Sequence, residues 1–184
     1  MTKITADDRL PGDPDKAMLI DQIIRVDQAV EYGAKRIYEG QLAVLGGTAA
    51  APVLRSMLAQ EKEHLARFNR IMAARGTRPT ALQPLWHVAG YALGAATALL
   101  GKDAAMACTV AVEDVIGEHY REQAEQLGDD EKDLRETVAA FREDELHHRD
   151  ISLAHGAAAA PGYEVLTAAV RTGTQIAIWL AKRF

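Results

Sequence analysis

Glutamate and histidine recur in this chain at a spacing that suits the binding of two metal ions. A Glu-x-x-His motif occurs twice, and each copy follows a lone glutamate that lies in an apolar, helix-forming segment. A four-helix bundle builds a carboxylate-bridged dimetal site from one glutamate on each of two helices and one Glu-x-x-His on each of the other two. The chain supplies the six candidate ligands in that order: Glu31, Glu61, His64, Glu113, Glu145 and His148.

The two sets of candidate ligands are separated by nearly half of the chain. Glu61 follows Glu31 by 30 residues, Glu145 follows Glu113 by 32, and the two motif glutamates lie 84 residues apart. A helical hairpin duplicated at this period is what a pseudo-symmetric bundle requires, because each hairpin contributes half of the site. Residues three apart share one helix face, so both side chains of a motif reach the same metal pair.

The donor set favours iron or manganese over zinc. Hard carboxylate oxygens with one imidazole per metal suit these ions, whereas a closed zinc site uses more sulfur or nitrogen. Four glutamates and two divalent ions give a formally neutral site, and the same glutamates without metal form a costly cluster of buried like charges. One Glu-x-x-His usually lies on a solvated helix face, but carboxylates on core seams are rare unless paired. The pattern therefore predicts a buried site for two metal ions.

The composition favours an all-α protein. The chain has 184 residues, of which 48% are apolar and 5% aromatic, and it is rich in helix formers without alternating segments. The net charge of −5 does not indicate a nucleic-acid partner, and the single cysteine, Cys108, excludes an intrachain disulfide or a CxxC motif. We expect residues 1–14 to form a flexible arm without the features of a signal peptide, and residues 15–184 to form a single domain.

Apolar periodicity and helix-stop residues predict six helices. Asp15 or Asp13 caps the first, and glycines or prolines lie between most of them. In the first, second, fourth and fifth helices, the candidate ligands fall on the apolar seam that faces the core. The predicted helices run from after Pro14 to Gly46 and over Ala51 to Arg75, Leu85 to Leu100, Ala104 to Leu127, Asp130 to His155 and Gly162 to Arg183.

Other polar residues near the candidate ligands receive separate interpretations. Asp27 lies one turn before Glu31 and, like Asp144 or Asp150, is a candidate for orienting a histidine. His147 adjoins a candidate ligand but points about a hundred degrees away from it, which predicts a surface position. Four glutamates off the seams are also interpreted as surface residues: Glu39, Glu63, Glu118 and Glu143. Tyr38 and Tyr120 lie on ligand-bearing faces and are interpreted as core aromatics, and no role is assigned to His119.

The third helix is apolar on nearly every face, and the sixth is rich in apolar residues. The segment from Leu85 to Gly101 contains no Asp, Glu, Lys or Arg and only His87 as a residue that ionises near neutral pH, but it is short for a membrane span. The sixth helix ends with Trp179, Lys182 and Arg183, an order typical of an anchor at a membrane surface. The alternative is that both helices pack against the bundle or against a second subunit.

The segments around the candidate ligands resemble the demethoxyubiquinone hydroxylase family, the di-iron monooxygenases of ubiquinone biosynthesis. The similar segments are RVDQAVEYGA at 25–34, QEKEHL at 60–65, ACTVAVE at 107–113 and FREDELHH at 141–148. The resemblance implies a ferritin-like four-helix bundle with two additional apolar helices, formed by residues 15–184. It also implies that two iron ions bind to Glu31, Glu61, His64, Glu113, Glu145 and His148.

The same resemblance implies O2-dependent hydroxylation of the ring of a polyprenyl demethoxyquinol. Electrons come from the quinol or from a reductase or NADH, because the sequence lacks a Gly-rich dinucleotide fingerprint, a flavin motif and an iron–sulfur cysteine set. The expected location is peripheral, at the cytoplasmic face of the cell membrane. The expected partners are this membrane surface, other ubiquinone-biosynthesis proteins and a second copy of the chain.

Two other classes of function remain open from the residues alone. A ferritin-like ferroxidase or iron-storage protein uses the same ligands, but its polar exterior differs from the apolar third and sixth helices. A metal-free helical scaffold or lipid carrier explains those helices but not the six residues on the core seams. Oligomer size distinguishes the first alternative, and metal content distinguishes the second.

Overall fold

The structure, a computed structural model, describes residues 15–184 and is built from helices. The helices are α1 (Lys16–Leu45), α2 (Ala51–Arg75), α3 (Gln83–Leu99), α4 (Lys102–Gln126), α5 (Lys132–Ala154) and α6 (Tyr163–Ala181). Short 3-10 turns at Asp129–Glu131 and Ala157–Ala159 precede α5 and α6, and no strand occurs between residues 15 and 184. The predicted all-α class is confirmed. The predicted arm at 1–14 lies outside the described residues, and the single domain stays a prediction.

The ends of α1 and α2 follow from local chemistry. Asp15 caps α1, because its Oδ1 accepts a hydrogen bond of 2.8 Å from the backbone N–H of Met18, as the sequence predicts. Gly76 ends α2 with a φ of 70°, a left-handed conformation that glycine adopts without strain. Its N–H bonds to carbonyls of the last turn, so α2 stops where the sequence places the stop.

The four helices that carry the candidate ligands share one core. Ile24 of α1, Phe68 of α2, Tyr120 of α4 and Val138 of α5 are fully buried in a single apolar cluster. α1 packs against α2 and α4 packs against α5, while α3 lies on the outside of α1 and α6 on the outside of α4. The architecture is therefore the predicted ferritin-like four-helix bundle with two additional helices. Each half contributes a hairpin and one outer helix.

Glycines let α3 approach α1 until their backbones touch. A Cβ atom on Gly94 would overlap the carbonyl oxygen of Ile37, and one on Gly40 would overlap that of Tyr91. A Cβ atom on Gly90 would lie 2.9 Å from the carbonyl oxygen of Gly33. Because the contact is made by backbone atoms, many large side chains of α3 point away from the bundle.

The outer faces of α3 and α6 are apolar and exposed. Their exposed side chains are Leu85, Val88, Tyr91, Leu99 and Leu100 of α3, Val165, Ile176 and Trp179 of α6, and Phe184 at the carboxyl terminus. The N–H of Ala81 donates to the carbonyl oxygen of Phe184 at 2.8 Å, which places the end of α6 beside the start of α3. Among the helices of residues 15–184, none combines the length and apolar content needed to cross a membrane. We name the exposed apolar side chains of α3 and α6, together with Phe184, the outer apolar surface.

Candidate metal centre

The six predicted ligand side chains meet in the middle of the bundle. All six are buried, with at most 3% of each residue exposed. Their ligand atoms form two groups in which every pair of atoms lies within 4.8 Å: Glu31, Glu61, His64 and Glu145 in one, and Glu61, Glu113, Glu145 and His148 in the other. Glu61 and Glu145 belong to both groups. This is the arrangement expected of two bridging and two terminal carboxylates, and the assignment of the six as metal ligands stays a prediction.

Each histidine turns its Nδ1 atom towards the carboxylates. His64 Nδ1 lies 3.1 Å from Glu145 Oε1 and 3.5 Å from Glu31 Oε2. His148 Nδ1 lies 3.1 Å from an oxygen of Glu145 and 3.1 Å from one of Glu61. Nδ1 is therefore the atom with which each histidine would bind a metal, and Nε2 is free to bond elsewhere.

The Nε2 atom of each histidine points away from the carboxylates and contacts a side chain on a helix of the opposite hairpin. His64 Nε2 lies 3.1 Å from Asp144 Oδ2, and His148 Nε2 lies 2.9 Å from Gln60 Oε1. Both partners are oxygens that accept, so each Nε2 carries a proton, and Nδ1 is the atom that can offer its lone pair to a metal once it is deprotonated. Asp144 thus makes the contact that its predicted role in orienting a histidine requires, and the role itself stays a prediction. Asp150 instead pairs with Arg149.

Two tyrosines hydrogen-bond the lone glutamates across the bundle. Tyr38 of α1 donates to Glu113 Oε1 at 2.8 Å, and Tyr120 of α4 donates to Glu31 Oε1. Each tyrosine lies seven residues, or two helical turns, after the lone glutamate of its own helix. Interpreting both tyrosines as ordinary core aromatics was incomplete, because their hydroxyls fix one oxygen of each lone carboxylate.

Two buried glutamines make a second pair of contacts between α1 and α4. Gln123 Nε2 donates to Asp27 Oδ1 at 2.6 Å, and Gln41 Nε2 lies 3.2 Å from Thr109 Oγ1. Gln123 Nε2 also lies 2.8 Å from Nε2 of His119, whose pKa burial lowers to about 4. Asp27 therefore bonds a glutamine rather than a candidate ligand histidine, contrary to one interpretation of the sequence.

The buried carboxyl groups and histidines perturb one another. Burial raises the pKa of Glu113 to about 8 and raises the pKa values of Glu31 and Glu61 as well. Burial also acts to raise the pKa of Glu145, but hydrogen bonds from His148 and His64 outweigh it, so that this pKa is lowered. Burial opposes protonation of His64, yet hydrogen bonds to Glu145 and Glu31 raise its pKa to about 12. Without metal, protons must supply the positive charge that these carboxylates need.

The unpaired oxygens of the cluster fit a metal pair. Oε2 of Glu113 and Oε2 of Glu61 meet no donor among the described residues, and Oε2 of Glu31 and Oε1 of Glu61 face only a histidine Nδ1 atom. Buried carboxylate oxygens are costly unless a proton or cation meets them. Four such oxygens, two inward Nδ1 atoms and the shared carboxylates form a hard oxygen and nitrogen donor set. The residues present therefore fit two metal ions.

The residues predicted to lie away from the centre do so. Glu63, Glu118, Glu143 and His147 are exposed. Glu39 is half-buried and pairs with Lys35 at 3.0 Å and with Arg36.

Sequence reasoning missed Gln41, Gln60, Thr109 and Gln123. A signal for them does exist in the repeat. Gln60 precedes its motif glutamate as Asp144 precedes the other, and Gln41 follows its lone glutamate by ten residues as Gln123 does. Aligning the two halves of the chain would have identified them.

The fold and the cluster define the class of protein: a ferritin-like helical bundle with a buried carboxylate and histidine site compatible with metal. The chain belongs to the family described as ubiquinone biosynthesis protein COQ7, whose profile matches residues 18–181. The resemblance drawn from the four sequence segments is confirmed.

Similar proteins from three organisms cover most of the chain. The 3-demethoxyubiquinol 3-hydroxylase of Rhodospirillum rubrum is 59% identical over 180 residues, which are 97% of this chain and 85% of that protein. The mitochondrial NADPH-dependent 3-demethoxyubiquinone 3-hydroxylase of Homo sapiens is 51% identical over 168 residues, 89% of this chain and 77% of that protein. The mitochondrial 5-demethoxyubiquinone hydroxylase of Saccharomyces cerevisiae is 40% identical over 185 residues, which cover 91% of this chain and 79% of that protein.

Proposed function

We propose that the chain is a 3-demethoxyubiquinol 3-hydroxylase, an oxidoreductase that inserts one atom of O2 into the ring of a demethoxyubiquinol in ubiquinone biosynthesis. The observation that carries the proposal is the pair of four-residue groups sharing Glu61 and Glu145, in a chain of the COQ7 family. Relatives at 51 and 59% identity bear this activity in their names.

The six side chains would hold two iron ions. Glu61 and Glu145 would bridge the ions, while Glu31 with His64 and Glu113 with His148 would complete one position each. Iron bound there would supply redox chemistry and open coordination positions for O2. The hydroxyls of Tyr38 and Tyr120 hold one oxygen of each lone glutamate, which leaves the other oxygen facing the site.

The surroundings support chemistry that must be kept from bulk water. Because every candidate ligand is buried, the side chains exclude solvent from the reacting centre. Insertion of one oxygen atom leaves the other as water, so each turnover consumes two electrons and two protons beyond the substrate. The relatives named NADPH-dependent support a reduced nicotinamide nucleotide as the electron source.

The outer apolar surface supports a lipophilic substrate. A polyprenyl tail is insoluble in water, and an exposed apolar face of this kind is suited to the boundary of a membrane. Arg183 lies over the ring of Trp179 at 3.7 Å, a basic and aromatic pair typical of that boundary. We propose peripheral attachment through α3 and α6. The same exposed face, together with family membership, favours the hydroxylase over a ferroxidase or iron-storage protein.

Lipid analysis of cells deleted for the gene tests this function. We expect demethoxyubiquinone to accumulate in the deletion strain, and the wild-type gene to restore ubiquinone. Glu61→Ala and Glu145→Ala should fail to restore it, whereas His147→Ala, which changes an exposed neighbour of His148, should succeed. A normal quinone profile in a deletion strain that has no second hydroxylase would refute the proposal.

A further inference from the structure

The side chain just before the glutamate of each Glu-x-x-His motif hydrogen-bonds the histidine of the other motif. Gln60 Oε1 accepts from Nε2 of His148, and Asp144 Oδ2 accepts from Nε2 of His64. The two contacts are equivalent in the repeat and similar in length, at 2.9 and 3.1 Å. They differ in charge, because one acceptor is a neutral amide and the other is a carboxylate.

A second pair of equivalent positions again has a carboxyl group in one half and a neutral side chain in the other. Gln123 bonds Asp27, which lies four residues before Glu31, and Gln41 bonds Thr109, which holds the corresponding place in α4. The acidic member again lies in the half of the site that contains Glu31. The half that contains Glu113 has a hydroxyl there.

Other features of the two halves match. Each half has one lone glutamate and one histidine of its own and shares the two bridging candidates. Each lone glutamate accepts a hydrogen bond from a tyrosine of the opposite hairpin, Tyr120 for Glu31 and Tyr38 for Glu113. The chain thus contains two nearly identical ligand sets, of which one has carboxyl groups and the other neutral side chains at the neighbouring hydrogen-bonded positions.

We propose that the two metal positions are inequivalent, and that the position completed by His64 binds its ion more tightly than the position completed by His148. The proposal rests on the metal centre of the proposed function. A carboxylate that accepts the Nε2–H makes the imidazole a stronger donor through Nδ1, and a neutral amide does so less. The Asp144 side chain is 42% exposed, so solvent and salt screen the attraction between its charge and a metal ion. Its hydrogen bond to His64 is not screened in this way, because it acts directly on the histidine that would bind the metal.

Single-position proteins separate the two affinities. His148→Ala protein retains the His64 position, and His64→Ala protein retains the His148 position. Binding of Fe²⁺ to each purified protein is measured by calorimetry without O2. Since loss of a group that supports a metal-binding histidine costs about 10–100-fold in affinity, we expect His148→Ala protein to bind Fe²⁺ at least ~10-fold more tightly than His64→Ala protein.

Exchange of the supporting groups identifies the cause. Adding Asp144→Asn should weaken Fe²⁺ binding about 10-fold in the His148→Ala protein and leave the His64→Ala protein unchanged. Adding Gln60→Glu should strengthen binding in the His64→Ala protein and leave the other unchanged, a gain that misfolding cannot produce. Glu143→Gln is the control, because it removes an equal charge from an exposed neighbour of Asp144 that pairs with Arg142. It should change neither protein.

Equal affinities of the two single-position proteins would overturn the inequivalence, as would equal weakening of both by Asp144→Asn. Either result leaves the proposed hydroxylase intact, because the unaltered chain would still bind two ions. If the unaltered chain binds no Fe²⁺, the metal centre and the inequivalence both fail.

Discussion

The interior of the four-helix bundle and the outer apolar surface reverse the usual distribution of polarity. Four glutamates and two histidines are buried between α1, α2, α4 and α5, whereas leucine, valine and tryptophan side chains are exposed on α3 and α6. Folding alone favours neither arrangement, since buried carboxylates and exposed apolar patches both cost free energy. The proposed function assigns a different partner to each: metal ions to the interior and a lipophilic phase to the exterior.

The largest expected effect comes from removing a shared carboxylate in the interior. Glu61→Ala should abolish hydroxylation and reduce bound iron, because Glu61 belongs to both four-residue groups. Iron content and product formation by the purified protein measure this. Glu63→Ala is the matched control, since Glu63 is exposed on the same helix, and it should retain both. Full iron content in Glu61→Ala protein would contradict the assignment of the site.

A charge on the outer apolar surface should weaken membrane binding without disturbing the interior. Trp179→Glu removes a large apolar side chain that is 51% exposed, and we expect binding to anionic phospholipid vesicles to fall by about 10–100-fold. Iron content should stay unchanged. Leu153→Glu, which alters an exposed apolar residue of α5 outside that surface, is the control and should bind vesicles normally. Equal loss in both variants would remove the distinction between the surfaces.

Removal of metal should make stability depend on pH through the interior carboxyls. The pKa of Glu113 is raised from 4.5 to about 8 and that of His64 from 6.5 to about 12, so the folded, metal-free chain holds protons that the unfolded chain releases. Such groups stabilise the fold below their unfolded pKa and lose that contribution as pH rises through the folded value. Between pH 6 and pH 8, each of these two groups should cost metal-free protein on the order of 2 kcal/mol of unfolding free energy, about 4 kcal/mol together.

Urea unfolding at the two pH values measures this loss. Fe²⁺ without O2 should stabilise the protein more at pH 8 than at pH 6, because metal binding requires deprotonated ligands. Glu113→Gln should reduce the loss in metal-free protein, since its amide does not titrate. A metal-free protein that gains stability from pH 6 to pH 8 would contradict this electrostatic account of the interior.

The smallest expected effect concerns the tyrosines of the interior. Tyr38→Phe removes one hydrogen bond to Glu113 and keeps the ring, and a hydrogen bond to a charged group contributes about 1.5–3 kcal/mol. We expect Tyr38→Phe protein to bind both iron ions but to show a changed Mössbauer spectrum in the ferrous state. Its rate of hydroxylation should fall about 10-fold. Tyr32→Phe, which loses the hydroxyl that contacts His87 instead, should leave the spectrum unchanged.

The sequence predicts the interior better than the contacts that support it. The six candidate ligands, the helices that carry them and the cap at Asp15 are local features, because spacing within one helix determines which face a residue occupies. The contact of Gln60 with His148 joins residues 88 apart, and it depends on how two helices pack. A charged residue on a buried helix face predicts a partner, because burying an unpaired charge is costly. Glutamine and threonine are neutral, so the sequence does not predict their hydrogen-bond partners in this way.

The outer helices α3 and α6 show the same limit of prediction from sequence. Their apolar composition predicts large apolar surfaces, but not which helix each one covers. That is decided by the backbone contact at Gly40, Gly90 and Gly94, where any side chain would hold α1 and α3 apart. Single-sequence patterns describe the faces of helices and not the distances between them.

Hydroxylation with labelled oxygen tests the central claim most directly. The purified chain, loaded with ferrous iron, is supplied with a short-tail demethoxyubiquinol, a reductant and ¹⁸O2, and the quinone product is analysed by mass spectrometry. The account predicts one labelled oxygen atom on the ring of the product, and no product from Glu61→Ala protein. Consumption of O2 with iron oxidation but without ring hydroxylation would contradict it and would assign the buried cluster to a ferroxidase.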